Sequence, residues 1–288
     1  LMGNYAEFTG RLIANGVSSE KDGSLLLFNS GSVTMPNAVI EATGNTRLAS
    51  WETNSNLKIG GLSGTSKTYL SGSSKKTKGF TCTWTVGSAN TNETFAGKIN
   101  NWAAGGSGYQ GTVSITKTGT GYWRLTGNND YKGITNVLKG NLIVNGTNSG
   151  TGAVNVMKDA ILSGKGSIAG LVRIYEGGKL QAGDVEEGAN GARLTLKGNL
   201  EVRTGGVVSL LADGSSYNTI TAGSVTLEDG AVIQIGEEVD ALCFVDAETI
   251  PVFSAGVKVN GKVQMIPETP GDGQTWDLSK LATEGVVK

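Results

Sequence analysis

The chain has 288 residues, with 45 glycines, 4 prolines, 2 cysteines, no histidine and a formal net charge of −1. Glycine is about twice as frequent as usual, yet it has no every-third-residue period and Val, Ile, Leu and Thr are plentiful, which excludes collagen-like and disordered chains. A net charge near zero without a long basic tract argues against a nucleic-acid partner, and the absence of histidine removes Ser-His-Asp, Cys-His and H-E-x-x-H chemistry.

In chain order, Leu1-Met2-Gly3-Asn4-Tyr5 lacks the basic and apolar regions of a signal peptide, which leaves a cytoplasmic protein or a piece of a longer, processed chain. Residues 1–56 read as irregular N-terminal coils, 57–250 as the regular body and 251–288 as a cap. Cys82 and Cys243 lie 161 positions apart with no C-x-x-C, and Cys243 sits in the apolar run 241–245, which favours a buried thiol over a disulfide. Short strands separated by Gly, Asn, Ser and Thr fill the chain, and helical periodicity is confined to Leu278 through Thr283. No stretch reaches the roughly 18 apolar residues of a membrane span, so membrane insertion by this segment is not expected.

The central feature is a repeat. A turn residue followed by a short apolar stretch occurs at Gly140, Asp159, Gly178 and Gly198, and more loosely at Gly230. Between these copies runs a second series, Val154-Asn155-Val156, Val172-Arg173-Ile174, Leu194-Thr195-Leu196 and Val225-Thr226-Leu227. A period of about 20 residues with two strands per period predicts a solenoid. Strands this short must pair in parallel with their equivalents one coil later, about 4.8 Å away, giving a parallel β-helix of about a dozen coils, roughly 60 Å long. All four prolines, at 36, 251, 267 and 270, lie outside positions 37–250, as interior ladders require. The run Val257 to Met265 reads as a hairpin about Asn260-Gly261, in keeping with a C-terminal β cap.

The segment Lys117-Thr118-Gly119-Thr120-Gly121-Tyr122-Trp123-Arg124-Leu125-Thr126-Gly127-Asn128-Asn129-Asp130-Tyr131-Lys132-Gly133-Ile134-Thr135, continued by Gly140-Asn141-Leu142-Ile143-Val144-Asn145-Gly146, resembles the autotransporter-associated β-strand repeat. Asn92 to Ile99 and Gly60-Gly61-Leu62-Ser63-Gly64 resemble partial copies. The resemblance implies an all-β, right-handed parallel β-helix carried on large secreted or surface proteins of Gram-negative bacteria, often adhesins or carbohydrate-active proteins.

Parallel β-helices also include sugar-cleaving enzymes, which need paired carboxylates or a cation-holding cluster with an Arg or Lys base. The acidic spots Asp184-Val185-Glu186-Glu187, Glu228-Asp229, Glu237-Glu238-Val239-Asp240 and Asp246-Ala247-Glu248 read as solvated turns, and Lys75-Lys76-Thr77-Lys78 as a solvated loop. Asn129 and Tyr131 read as turn and packing residues, and Trp84 as core. No catalytic residue, metal ligand or cofactor is assigned. Trp51, Trp102, Tyr109 and Trp123 are the candidate ligand-binding residues, since an aromatic ring offers a sugar an apolar face and a polar edge. The expectation is a non-catalytic extracellular scaffold or adhesin-like module of a longer polypeptide, secreted or on the outer-membrane exterior, whose partner is a polysaccharide or host-surface glycan. The alternative is a β-helix polysaccharide lyase or glycoside hydrolase, or an accessory domain of one.

Overall fold

The computed structural model describes residues 1, 4–17, 23–75, 78–103, 111–184, 191–213, 216–236 and 249–288. The chain divides into two compact units, Leu1–Ala153 and Val154–Lys288.

The first unit winds three faces in succession. Face A holds Gly10–Gly16, the later parts of Thr34–Gly44 and Asn54–Gly64, then Glu93–Phe95, Tyr122–Leu125 and Gly140–Val144. Face B holds Ser24–Phe28, Thr46–Ser50, Tyr69–Ser73 and Lys98–Ile99. Face C holds the first part of Asn54–Gly64, then Thr81–Val86, Thr112–Lys117 and Thr135–Val137. Each strand pairs in parallel with its equivalent one coil later, so inward side chains form columns. Ala14, Ala42, Gly64, Phe95, Leu125 and Val144 make one column on face A. Leu26, Leu48, Leu70 and Ile99 make another on face B. On face C, Leu57, Trp84 and Ile115 stack, each with 0% exposure.

Local chemistry explains the joints. Gly140 turns at φ +66°, and Asp159 in the second unit at φ +63°, the left-handed region that favours Gly and short polar residues at corners. Pro36 sits inside Thr34–Gly44, where the ladder shifts register between Met35 and Val39, so its missing N–H interrupts no regular rung. Trp84 is core, as expected: its indole N–H donates to the Ser71 carbonyl at 2.9 Å, and its ring meets Phe28 edge-on at 5.0 Å. Cys82 is buried and free, and burial pushes its thiol up to about 12, so it stays protonated. Cys243 lies outside the described residues.

The second unit has three faces of its own. Face D holds Val154–Val156, Val172–Ile174, the ends of Arg193–Val202 and Thr219–Leu227, and Lys258–Val259. Face E holds Ala160–Gly164, Lys179–Ala182, Val207–Leu210, Val232–Ile235 and Gln264–Ile266. Face F holds Ser167–Ile168 and the first parts of Arg193–Val202 and Thr219–Leu227. The column Leu162, Leu180, Val208, Ile233 and Met265 runs through face E.

Three expectations change. There are three strand columns per coil rather than two. The coil length also varies: Val154 pairs with Val172, 18 positions on, Val172 with Leu200, 28 on, and Val232 with Gln264, 32 on. Because of this lengthening, the Gly198 copy stacks on Val172–Ile174, not on Lys179–Ala182 as equal spacing predicts, and Leu194 to Leu196 belongs to a different face from Val172. Finally, the run about Asn260-Gly261 is not a hairpin. Lys258–Val259 and Gln264–Ile266 lie on different faces, each in parallel with the preceding coil. Farther on, Val286–Val287 pairs antiparallel with Ile250–Pro251, and a short helix, Leu281–Glu284, buries Leu281. In the first 56 residues, regular pairing already begins at Gly10↔Ala38.

Volume in the columns is shared between neighbours. A Cβ on Gly64 would lie 2.7 Å from the Phe95 ring and 2.6 Å from Thr68 Oγ1. Gly64→Ala is therefore expected to lower stability by about 1–3 kcal/mol through overpacking, read as a fall in the chemical-denaturation midpoint. An unchanged midpoint would mean that the Phe95 ring yields freely.

Candidate functional site

On face B of the first unit, Arg47, Tyr69 and Lys98 occupy one outward register. The Arg47 guanidinium lies between two rings, 4.1 Å from the Tyr69 centroid and 4.4 Å from that of Trp102. The stack covers Arg47 to 3% exposure, and its Nη1 donates to Ser71 Oγ at 2.8 Å. Ser71 Oγ in turn donates to Asn100 Oδ1, which also accepts the Trp102 backbone N–H at 3.2 Å. A charge this covered is sustained by the two π faces and by its hydrogen bonds. Trp51 follows strand Thr46–Ser50 and is 42% exposed, with Lys75 Nζ 5.9 Å from its ring and 2.9 Å from Glu52.

The candidate aromatics therefore separate. Trp51 and Trp102 lie on or beside face B, exposed and half-buried respectively. Tyr109 lies outside the described residues. Trp123 is in the core at 1% exposure, in register with Leu142, its N–H donating to the Leu62 carbonyl and its ring 6.4 Å from Phe95. A ligand cannot reach Trp123 in the folded chain. Sequence reading passed over Tyr69 and Arg47, because only the coil-to-coil register sets them beside Trp102. It also passed over Trp276, which with Val263, Gln264, Met265, Glu268 and Thr275 lines an open groove of about 550 Å³ in the second unit.

Several of the described acids form ion pairs. Arg11 meets Glu93 at 3.1 Å and Glu41 at 3.5 Å; Lys98 meets Asp130 at 2.7 Å. On face D, Glu201 receives Arg173 at 3.0 Å and Arg203 at 2.6 Å, and Arg203 also pairs with Glu228. Asp229 accepts the Lys262 backbone N–H at 2.7 Å, as a turn residue does. Glu186, Glu187 and the acids of 237–248 lie outside the described residues. Among the described residues no group of three His, Cys, Asp or Glu side chains is placed to hold a metal ion, and no helix is long and apolar enough to cross a membrane.

Within the repeat motif the structure gives the buried Asn129, Tyr131 and Lys117 side chains partners. Asn129, 1% exposed, accepts the Ile99 N–H at 2.8 Å, so its side chain joins two coils. Tyr131, 2% exposed, shares a 2.7 Å hydrogen bond with Thr135 and accepts from Asn148. Lys117 holds an inward register with Val86 and Val137 at 1% exposure. Its Nζ donates to the carbonyls of Thr118, Gly119 and Lys139 at 2.7, 3.1 and 3.1 Å, tying two successive corners together. The signal for this was in the alternation Val113, Ile115, Lys117.

These features define a parallel β-helix whose coils are pinned at the corners by buried polar side chains. Residues 115–144, from the end of one face C strand through the next full coil, match the family model of the passenger-associated-transport-repeat. The chain is also 39% identical over 74 residues to the adhesin BmaC autotransporter of Brucella suis biovar 1 (strain 1330). That stretch is 25% of this chain and 2% of the relative, so the chain spans a small part of the length of the protein it matches.

Burial pulls the Lys117 ammonium down to about 8. An unfolded lysine titrates near 10.5, so between pH 8 and 10.5 the unfolded chain binds more protons and stability rises with pH. Tyr131 acts oppositely, since burial pushes its phenol up to about 12 and the unfolded chain ionises first above pH 10. Denaturation of the wild type is expected to show stability rising from pH 8 toward about 10, with that rise lost in Lys117→Met. The variant should also lose about 2 kcal/mol at pH 7 by orphaning buried carbonyls. Parallel pH profiles for the two proteins would remove the buried-cation account.

Proposed function

We propose that this chain is a non-catalytic, adhesin-like passenger module of a longer secreted or surface-displayed autotransporter polypeptide, exposed on the outer-membrane exterior of a Gram-negative cell. In this reading face B of the first unit contacts a polysaccharide or host-surface glycan. One observation carries the glycan assignment: Trp102, stacked on Arg47, which also lies over Tyr69, is on or beside the same face as the exposed ring of Trp51. The stack fixes the Trp102 ring before a ligand arrives, so little side-chain freedom is lost on binding. Trp51, with Lys75 and Glu52 beside it, adds an apolar face edged by hydrogen-bonding groups, the surface that a pyranose ring matches. The passenger-type repeat at 115–144 and the similarity to an autotransporter adhesin support the module and its location.

The test is binding of the purified chain to an array of plant, host and bacterial glycans, with product release measured in the same wells. Saturable binding without cleavage is expected, weakened at least 10-fold by Trp51→Ala at unchanged thermal stability, and weakened also by Trp102→Ala. Binding unaffected by both variants would move the contact off face B, and released oligosaccharide would overturn the non-catalytic reading.

A further inference from the structure

The Asn260-Gly261 pair joins two parallel rungs of the second unit, and its own peptide group is left free. The Asn260 N–H donates to the Leu227 carbonyl at 2.8 Å, and the Lys262 N–H donates to Asp229 Oδ1 at 2.7 Å. Between these two anchors, among the described residues, neither the Asn260 carbonyl nor the Gly261 N–H has a hydrogen-bond partner. The Asn260 side-chain amide has none either. Both residues are exposed, and Gly261, at φ +101°, borders an open groove of about 340 Å³. A side chain at Gly261 would run into the Asp229 carboxylate, which therefore lies close against the glycine.

A backbone nitrogen that follows an asparagine can close a five-membered ring on the side-chain carbonyl carbon. Ring closure needs rotation of the peptide group between the two residues, and glycine presents no Cβ to obstruct it. The sequence holds three other Asn-Gly pairs with the same local chemistry, at 15–16, 145–146 and 190–191. Gly146 donates its N–H to the Leu125 carbonyl at 3.0 Å, and Asn145 donates to the same oxygen at 2.9 Å. Gly16 is buried in the ladder opposite Gly44, and Asn15 Oδ1 accepts from Thr43 Oγ1 at 3.2 Å. Asn190 lies outside the described residues. Of the three pairs described, the fold frees the peptide of one.

We propose that Asn260-Gly261 is a site of spontaneous covalent modification, by which the chain converts its own asparagine. The Gly261 nitrogen forms a bond to Asn260 Cγ as the Cγ–Nδ2 bond breaks, and the amide leaves as ammonia with the proton that Gly261 gives up. Water then opens the cyclic imide at either carbonyl, yielding aspartate or isoaspartate without oxidant, reductant or cofactor. Either product sets a second carboxylate in a joint that already holds Asp229, and like charges repel there. Isoaspartate also adds one carbon to the main chain between Lys258–Val259 and Gln264–Ile266. The rung that Gln264–Ile266 forms on Val232 to Gln234 is thereby loosened as the chain ages.

The test is incubation of the purified chain at mildly alkaline pH, followed by peptide mass spectrometry and isoaspartate detection. Exchange of NH2 for OH raises the mass of the peptide that holds Asn260. In the folded chain Asn260 is expected to convert at least about 10-fold faster than Asn15 or Asn145, whose sites must first open locally. In denaturant the three should convert at similar rates, and Asn260→Gln, which would need a larger ring, should stop conversion at its own site. Equal rates in the folded chain, or an Asn260 that converts only in denaturant, would overturn the assignment. The converted chain, separated by its added charge, is expected to exchange the Gln264–Ile266 amides several-fold faster than the unconverted one. Unchanged exchange at that rung would overturn the loosening.

Discussion

In both units the backbone of each coil is satisfied by the next coil in parallel register, and nearly every other feature follows from that one constraint. A side chain has its neighbours at equivalent positions about 4.8 Å above and below, so volume and charge must be reconciled along columns rather than across a conventional core. On face A of the first unit, Gly64 leaves room for the ring of Phe95. On face D of the second, the outward register sets Arg173 against Glu201, so stacking brings opposite charges together where identical ones would repel.

The same constraint sends variation to the corners. The strands that stack must keep register, but the segments between them need not, and coils range from 18 to 32 residues while the columns stay aligned. Corners also gather backbone carbonyls that no strand satisfies. Lys117 answers three of them with one ammonium, and Asn129 supplies a side-chain link where Ile99 would otherwise lack an acceptor. These polar residues fasten one coil to the next inside the segment that matches the passenger-type repeat.

The outer surface is where a module of this kind can differ from its relatives without disturbing its core. Face B of the first unit shows how: Arg47 is covered by Tyr69 and Trp102, residues far apart in sequence that the ladder brings together. Three separate coils contribute one stack, and a substitution in any of them alters the surface while the inward column Leu48, Leu70 and Ile99 remains.

The sequence by itself determined the class of fold, because a β-helix needs apolar alternation, turn residues at near-constant spacing and no interior proline, and all three can be counted. It also placed Trp84 in the core and the helical turn near the C-terminus, since both are local patterns. Tertiary structure decided which copies stack. Equal spacing set Gly198 over Gly178, but a lengthened coil moved that strand to the column of Val172. It decided that Asn260-Gly261 joins two parallel strands rather than the arms of a hairpin, because each arm found a longer partner in the coil before it. It separated Trp123 from Trp102, placing one inside and one on a face, because inward or outward orientation follows from pairing with strands 20 to 30 residues away and not from the residues alongside.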